Sequence, residues 1–338
     1  MKTKKRKFEH IEICLKSNVE RGRTGFDNIK LIHNSMPEVD YDSIDLSLRF
    51  LGKKLNYPIL IESMTGGCEE AEKINKNLAW AAEKLGIGFG VGSERAALED
   101  NSLVRTYYVR DVAPTTFVFG NLGVLPRLDL EKYQQAIDMI EADALAIHLN
   151  PLQEVAQREG DKNWSGGYEH IKKIVSHVNK PVIVKETGAG ISGSVAIKLE
   201  SLGVSAIDVS GYGGTNWFVV EKYRGGKEFK EFEEWGIPTA VSLFDVRRNV
   251  KIPVIASGGI RNGLDAVKAL VIGANTVGVA LPLLKEAVKS RESVLEWLEK
   301  FIDEMKMAMF LVGASSLEEL KEKRFVILGR TREWIEQL

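Results

Sequence analysis

Ser257-Gly258-Gly259-Ile260-Arg261 follows an apolar run and combines two glycines with an arginine. Glycines there let backbone N–H groups approach an anion closely, and Arg261 with the start of a following helix adds positive potential. This is the sharpest phosphate-binding pattern in the chain. His148, Asn150, Gln153 and Glu154 crowd one short stretch, offering a neutral donor/acceptor, two amides and a carboxylate. Glu154 suits a base or a hard-metal ligand, since Mg2+ takes one or two carboxylates plus phosphate oxygens and water. Lys185 ends another apolar run. A lysine so placed forms a Schiff base, or stabilises negative charge on an electron-rich ring.

The elements that must hold these residues recur with one rhythm. Eight short apolar runs begin at Pro58, Ile87, Thr116, Ala144, Val182, Ala206, Val254 and Thr276. Each is followed by Gly or polar residues, and most then by an amphipathic stretch. Glu69–Leu85 carries Ile74, Leu78, Ala81 and Leu85 at helical spacing, and Asn262–Ile272 behaves similarly. Continuous rather than alternating apolar runs fit parallel strands covered by helices. Eight strand–helix alternations predict a closed (β/α)8 TIM barrel, in the α/β class, over an open doubly wound sheet. Gly86-Ile87-Gly88-Phe89-Gly90 is no dinucleotide turn, because its glycines alternate within a strand. Active sites of such barrels lie at the carboxyl ends of the strands, with phosphate after strands seven and eight. Ser257–Arg261 and Gly278-Val279-Ala280-Leu281 fall there.

Two segments stand outside the rhythm. Residues 1–57 form an N-terminal arm and cap of the same domain, expected at the bottom or edge of the barrel. Residues 58–338 form the barrel and its C-terminal helices. A long loop after strand 6, residues 212–237, reads as a lid or binding loop. Ser290–Phe310 reads as an amphipathic helix and Leu317–Leu338 as a charged one.

The chain has 338 residues with 46 Lys plus Arg against 47 Asp plus Glu, a net charge of -1. That balance advertises neither nucleic acid nor an anionic membrane. Any anion must be held by a local cluster, and the one dense basic run, Lys2 to Lys7, reads on composition as a solvated tail. Cys14 and Cys68 show no metal or redox spacing. The basic start lacks an apolar signal core, and no apolar stretch approaches the length of a membrane span, so a cytoplasmic protein is expected.

Taken together, these motifs resemble type II isopentenyl diphosphate isomerase, the FMN-dependent form, over essentially the whole length. The marks are Arg6-Lys7 with His10, Met64-Thr65-Gly66-Gly67, Ser93 with Arg95-Ala96-Ala97, and His148 with Asn150 and Gln153-Glu154. Val184-Lys185-Glu186, Ser210-Gly211 with Gly213-Gly214-Thr215 and Trp217, and Ser257–Arg261 complete them. The resemblance implies FMN held by Met64, Thr65, Gly66, Ser93, Asn121, Lys185, Ser210, Thr215, Gly258, Gly259, Arg261, Ala280 and Leu281. It implies substrate contacts from Arg6, Lys7, His10, Ser93, Arg95, His148, Asn150 and Gln153, with Glu154 placing Mg2+ on the diphosphate. Gln153, Lys185 and His148 become the catalytic candidates, and the basic start becomes an arm closing over the diphosphate. Glu94 stands where the family usually has Gln, and a carboxylate there must point away from an anion, or leave it to Ser93 and Arg95.

The implied reaction converts isopentenyl diphosphate to dimethylallyl diphosphate through protonation and deprotonation, without net redox change. Reduced FMN is the active form, NADPH or NADH the reductant, and a homo-tetramer or homo-octamer the assembly. Two alternatives are weighed against it. An FMN-dependent 2-hydroxy acid oxidoreductase wants a late His base beside an Arg, yet no His follows His177. A non-catalytic FMN- or phosphate-binding barrel is separated only by turnover.

Overall fold

The structure, a computed structural model, describes residues 2–124 and 129–338. Eight parallel strands close on themselves, flanked by helices. They are β1 (Ile59–Ile61), β2 (Gly88–Gly90), β3 (Val118–Gly123), β4 (Ala144–His148), β5 (Val182–Lys185), β6 (Ala206–Asp208), β7 (Val254–Ala256) and β8 (Thr276–Val279). Each lies within or against one of the eight expected runs. Closure runs through β8 against β1, with Val277 opposite Ile59, and the chain is a TIM barrel.

Strand periodicity sorts the side chains. Ile59, Ile61, Val118, Leu145, Ile147, Val182, Val184 and Ile207 join the large core between sheet and helices. Leu60, Phe119, Ala146, Ile183, Ala206 and Ile255 point the other way, into a separate core inside the barrel. Successive strand residues face opposite sides, so inward positions repeat every two residues. The next inward layer toward the carboxyl ends is therefore Glu62, Asn121, His148, Lys185, Asp208 and Ser257. Apolar packing fills the barrel below, and a polar ring crowns it.

The helix expected at Glu69–Leu85 has those bounds. Glu69, Glu70 and Glu72 sit in its first turn and Lys84 in its last, complementing the helix dipole. Asn262 caps the helix Gly263–Ile272 by accepting from the Asp265 N–H.

Residues 1–57 divide between the two ends of the barrel. The strands Leu48–Phe50 and Lys53–Leu55 pair antiparallel, and their buried Phe50 and Leu55 join the inner core from below. Phe50 meets Phe117 edge to face at 5.6 Å. Burying each such side chain contributes about 1.5–3 kcal/mol. Lys2–Lys16 instead form a helix at the opposite end, lining the mouth of the central pocket. Its Ile11 and Cys14 are buried.

The long connection after β6 is built rather than open. It holds the helix Trp217–Tyr223, capped by the Asn216 side chain, and a 3-10 turn at Lys230–Glu234. The C-terminal stretch 317–338 is not one charged helix. A short helix Leu317–Lys321 leads to the strand Phe325–Ile327, then to the helix Gly329–Gln337. That strand pairs antiparallel with Ile29–Leu31, where Ile29 faces Ile327. Such a pairing joins segments almost a chain length apart, and charge patterning carries no trace of it.

Candidate active site

One deep pocket opens at the carboxyl ends of the strands. Its floor is the polar ring, its far wall the loops after β7 and β8, and its roof the helix Lys2–Lys16. The structure gathers into its lining Met64, Thr65, Ser93, Asn121, Lys185, Ser210, Thr215, Gly258, Gly259, Arg261, Ala280 and Leu281. Arg6, Lys7, His10, Arg95, His148, Asn150, Gln153, Glu154 and Trp217 line it too. Gly66 is the one candidate outside the lining: its backbone packs behind the wall, where a Cβ would stand 1.9 Å from the Tyr107 ring.

Lys185 stands at the centre of the floor. Its Nζ lies 3.6 Å from Glu62 Oε2 and 3.5 Å from Asp208 Oδ2, and donates to the Glu186 carbonyl at 2.8 Å. Burial works to lower its pKa, but Asp208, Glu62 and Glu186 outweigh that and hold it above the ordinary lysine value. A lysine kept protonated is no nucleophile, which disposes of the Schiff-base reading and leaves a fixed positive charge. Asp208 is anchored on its other side, accepting from Ser257 Oγ at 2.7 Å and the Ser210 N–H at 3.1 Å.

His148 lies 2.7 Å through Nδ1 from Asn121 Oδ1. An amide oxygen only accepts, so Nδ1 carries the proton and Nε2 a lone pair. Burial, then Lys185 and Lys7, push its pKa down to about 3. At neutral pH His148 is a neutral acceptor and not a general acid.

Glu94, the departure from the resembled pattern, is fully buried and turned away from the mouth. One carboxyl oxygen accepts from the Asn121 N–H at 2.6 Å. Burial, partly opposed by that hydrogen bond, raises its pKa well above the carboxylate range. The group is therefore an uncharged acid, close in shape and polarity to glutamine, and brings no repulsion to an anion.

The roof and side wall gather cations. Arg6 and Lys7 reach in from the N-terminal helix and Arg95 from the wall. Arg6 lies 3.6 Å from Glu159 and Arg95 Nε donates to Glu99 at 3.0 Å, whereas Lys7 has no such partner among the described ion pairs. Burial first, then neighbouring Arg6, lower the Lys7 pKa to about 8.

Glu221, on Trp217–Tyr223, was not among the sequence candidates, yet it ties this region together. Its Oε1 bonds His10 Nε2 and Gln153 Nε2, each at 2.9 Å, and its Oε2 takes Arg224 at 2.5 Å. Burial favours its protonation, but His10, Gln153 and Arg224 prevail and hold the pKa below the ordinary value. Trp217 meets the His10 ring edge to face at 5.1 Å. A carboxylate within a mostly apolar helix, in a long insertion otherwise read as a lid, was the available signal.

Glu154 is the only carboxylate of its group. Oε1 accepts from Asn150, while Oε2 accepts from Gln157 and the Asp161 N–H. No cluster of three metal-ligating residues occurs among the described residues. That donor set does not make a resident metal centre. A lone pocket carboxylate of this kind suits at most a hard cation whose other ligands arrive with a ligand or as water.

The pocket also fits a flavin phosphate and ring. Gly258 and Gly259 hold φ of 97° and 76°, and a Cβ on either would lie 2.2–2.3 Å from the Gly211 or Gly213 carbonyl. Only glycine permits that loop. Thr65 Oγ1 and Ser63 Oγ are buried without a partner in the pocket lining. Unpartnered buried hydroxyls are uncommon and point to a polar ligand.

A family profile described as FMN-dependent dehydrogenase matches residues 125–327. The chain is 51% identical to the isopentenyl-diphosphate delta-isomerase of Pyrococcus furiosus, across 98% of this chain and 89% of the relative. It is 49% identical to that of Archaeoglobus fulgidus, across 99% of each. Among solved structures, a mandelate oxidase variant with a monooxide FMN adduct superposes with a TM-score of 0.67 at 17% identity, covering 95% of this chain and 92% of the other. That last likeness speaks for the fold alone.

Proposed function

The chain belongs to the FMN-dependent dehydrogenase family and, within it, stands with the isopentenyl-diphosphate delta-isomerases, and on that premise we propose that it converts isopentenyl diphosphate to dimethylallyl diphosphate. The observation that carries this reading is the pairing of two unlike halves in one pocket. A cationic roof of Arg6, Lys7 and Arg95 stands over a floor with a fixed cation, whose buried carboxyls are far too weak as acids to protonate an unactivated alkene.

Double-bond transfer needs a proton delivered to one carbon and taken from another, in a site dry enough that water does not capture the cation. Reduced FMN, when bound, would supply the proton donor. Lys185 supplies positive charge to balance an electron-rich ring. Thr65, Ser93, Asn121, Ser210 and Thr215 are the polar groups that would hold that ring and its chain, and Gly258, Gly259, Arg261, Ala280 and Leu281 its phosphate. Met64 and Gly66 complete the β1 exit.

Arg6, Lys7, Ser93 and Arg95 would grip the diphosphate, and Glu154 with Asn150 would receive the Mg2+ that arrives with it. The chain His10–Glu221–Gln153 offers a route for a proton: Gln153 faces the pocket, and its amide is held by a carboxylate that also bonds an imidazole. Trp217 lends its ring face to shield positive charge on the substrate. The His10 and His148 sites support this assignment over 2-hydroxy acid oxidation. His148 is held too far below neutrality to serve as a base, and His10 is committed to Glu221.

Reduction of FMN once, by NADPH or NADH, suffices because turnover consumes no electrons. We infer a homo-tetramer or homo-octamer in the cytoplasm from the same resemblance. No helix among the described residues is long and apolar enough to cross a membrane.

The test is turnover. Protein, FMN, a reductant and Mg2+ are incubated with isopentenyl diphosphate, and the allylic isomer is sought. Flavin-loaded protein that forms none would refute isomerisation and leave a non-catalytic flavin binder.

A further inference from the structure

Glu62 has no role in the scheme above, yet it sits in the floor of the pocket. Its side chain is buried and lines the chamber, and neither carboxyl oxygen has a hydrogen-bond partner. Space is kept for it: a Cβ at Gly278 would lie 2.6 Å from Oε1. Its nearest charges are Lys185 Nζ at 3.6 Å and, beyond that, Asp208.

The charge count of this well is unbalanced. Lys185 is the one ammonium between the Glu62 and Asp208 carboxylates, and the neighbouring Glu186 turns its own carboxylate to the Thr187, Gly188 and Ala189 N–H groups, so with everything ionised negative charge is in excess here. Burying an uncompensated charge is expensive, and the group takes a proton instead. Asp208 Oδ1 accepts from the Ser257 hydroxyl at 2.7 Å and the Ser210 N–H at 3.1 Å, whereas Glu62 makes no well-formed hydrogen bond and feels only weak pulls from the Ser63 N–H and Lys185. The proton therefore belongs on Glu62.

We propose that Glu62 is a proton-holding group of the chamber that would hold the flavin, taking up a proton when the bound cofactor gains negative charge and releasing it when that charge leaves. The proposal rests on the reading that FMN occupies this chamber. The step balances simply. With FMN bound, a hydride donor would bring two electrons and one proton, leaving one negative charge in the chamber. One further proton passes from solvent to the Glu62 carboxylate. The well gains one negative charge and loses one.

Burial, then Asp208, push the Glu62 pKa up to about 8 against the pull of Lys185, which puts the exchange just above neutrality. The groups that face it are few. Lys185 comes from β5 and Asp208 from β6, while Ser257 and Gly278 bring no charge from β7 and β8; just past β5, Glu186 acts on Lys185 from the side, its own carboxyl pushed up to about 7 by burial. His148, elsewhere in the ring, is neutral, and burial holds the Glu94 pKa well above the carboxylate range.

The test reads the reduction potential of the bound flavin against pH, in the parent and in Glu62→Gln. One proton per two electrons gives a slope of about 30 mV per pH unit, and a second proton doubles it to about 59 mV. The parent is expected to steepen to the larger slope above about pH 8, while E62Q keeps the smaller one. A merely structural counter-charge would offset the potential by a constant, leaving the two slopes equal, and that outcome overturns the proposal. Infrared spectra of the flavin-free protein give the second readout. A protonated-carboxyl stretch that titrates near pH 8 should vanish in E62Q and persist in E94Q. Its absence from the parent would overturn the assignment even if the slopes differed. A preparation that retains no flavin would instead refute the functional reading itself, a result distinguishable from yellow protein with equal slopes.

Discussion

Replacing Lys185 by Met removes the one cation between two buried carboxylates, and its cost can be worked out beforehand. Breaking a buried pair by deleting one partner costs about 3–5 kcal/mol, because the remaining charge is left uncompensated. Unfolding entropy is about 2.1 cal/mol/K per residue, hence about 0.7 kcal/mol/K for 338 residues, so the loss should appear as a fall in Tm of about 4–7 °C. The penalty carries a sign in pH. Without Lys185 the carboxyls have folded pKa values raised above their unfolded ones, so stability is intact in acid and drains away as pH rises. Each uncompensated carboxyl contributes at most about 1.4 kcal/mol per pH unit over that interval. K185M should therefore melt close to the parent near the ordinary carboxylate range and well below it in mild alkali. The double variant K185M/D208N removes both charges while Asn keeps an acceptor for Ser257 and Ser210, and should recover most of the loss. Thermal melts followed by circular dichroism at several pH values decide the matter. A K185M melt that parallels the parent across the range, or a D208N partner that restores nothing, would refute the picture of a charge-balanced floor.

Three other outcomes follow from the site. The pH profile of kcat/KM should fall above about pH 8, because Lys7 loses its charge as pH rises through that value and the diphosphate grip weakens; in K7Q the fall should vanish and the plateau drop by about 10- to 100-fold, the worth of one charge-assisted hydrogen bond. Gly258→Ala should abolish FMN retention, since a Cβ collides with the Gly211 carbonyl at a φ only glycine favours; a spectrum of the purified variant with flavin absorbance equal to the parent would contradict this. Glu154→Gln should shift the Mg2+ titration of activity to higher concentration and leave flavin content unchanged, and an unaltered metal titration would remove Glu154 from that role.

How much of this was legible in the sequence follows from the range of the forces involved. The eight strands and the Glu69–Leu85 helix announce themselves because apolar runs and helical spacing are local. The pocket residues from Met64 to Leu281 were legible because the fold puts every strand's carboxyl end on one face. Glu62 and Asp208 were missed, although period-two counting from the inward Leu60 and Ala206 leads straight to them. An ionisable residue ending an apolar strand was the signal; Asp208 was counted as part of its apolar run, and Glu62 fell between the first run and the polar stretch that starts at Ser63. The hairpin Leu48–Leu55 was taken into a generic cap, because nothing in its composition says which end of a barrel it plugs. The strand Phe325–Ile327 lay hidden in a charged stretch because its partner is Ile29–Leu31, and its pairing depends on contacts that only the finished fold supplies.

That pairing has a consequence for synthesis. The roof helix Lys2–Lys16 precedes every barrel strand in the chain, but the neck behind it is held by Phe325–Ile327 and by Thr331, whose hydroxyl donates to the Gly25 carbonyl. Those fasteners are translated after the last barrel strand. The nascent barrel can assemble strand by strand while its entrance stays open, and the lid is latched only once the segment beyond β8 has joined the neck.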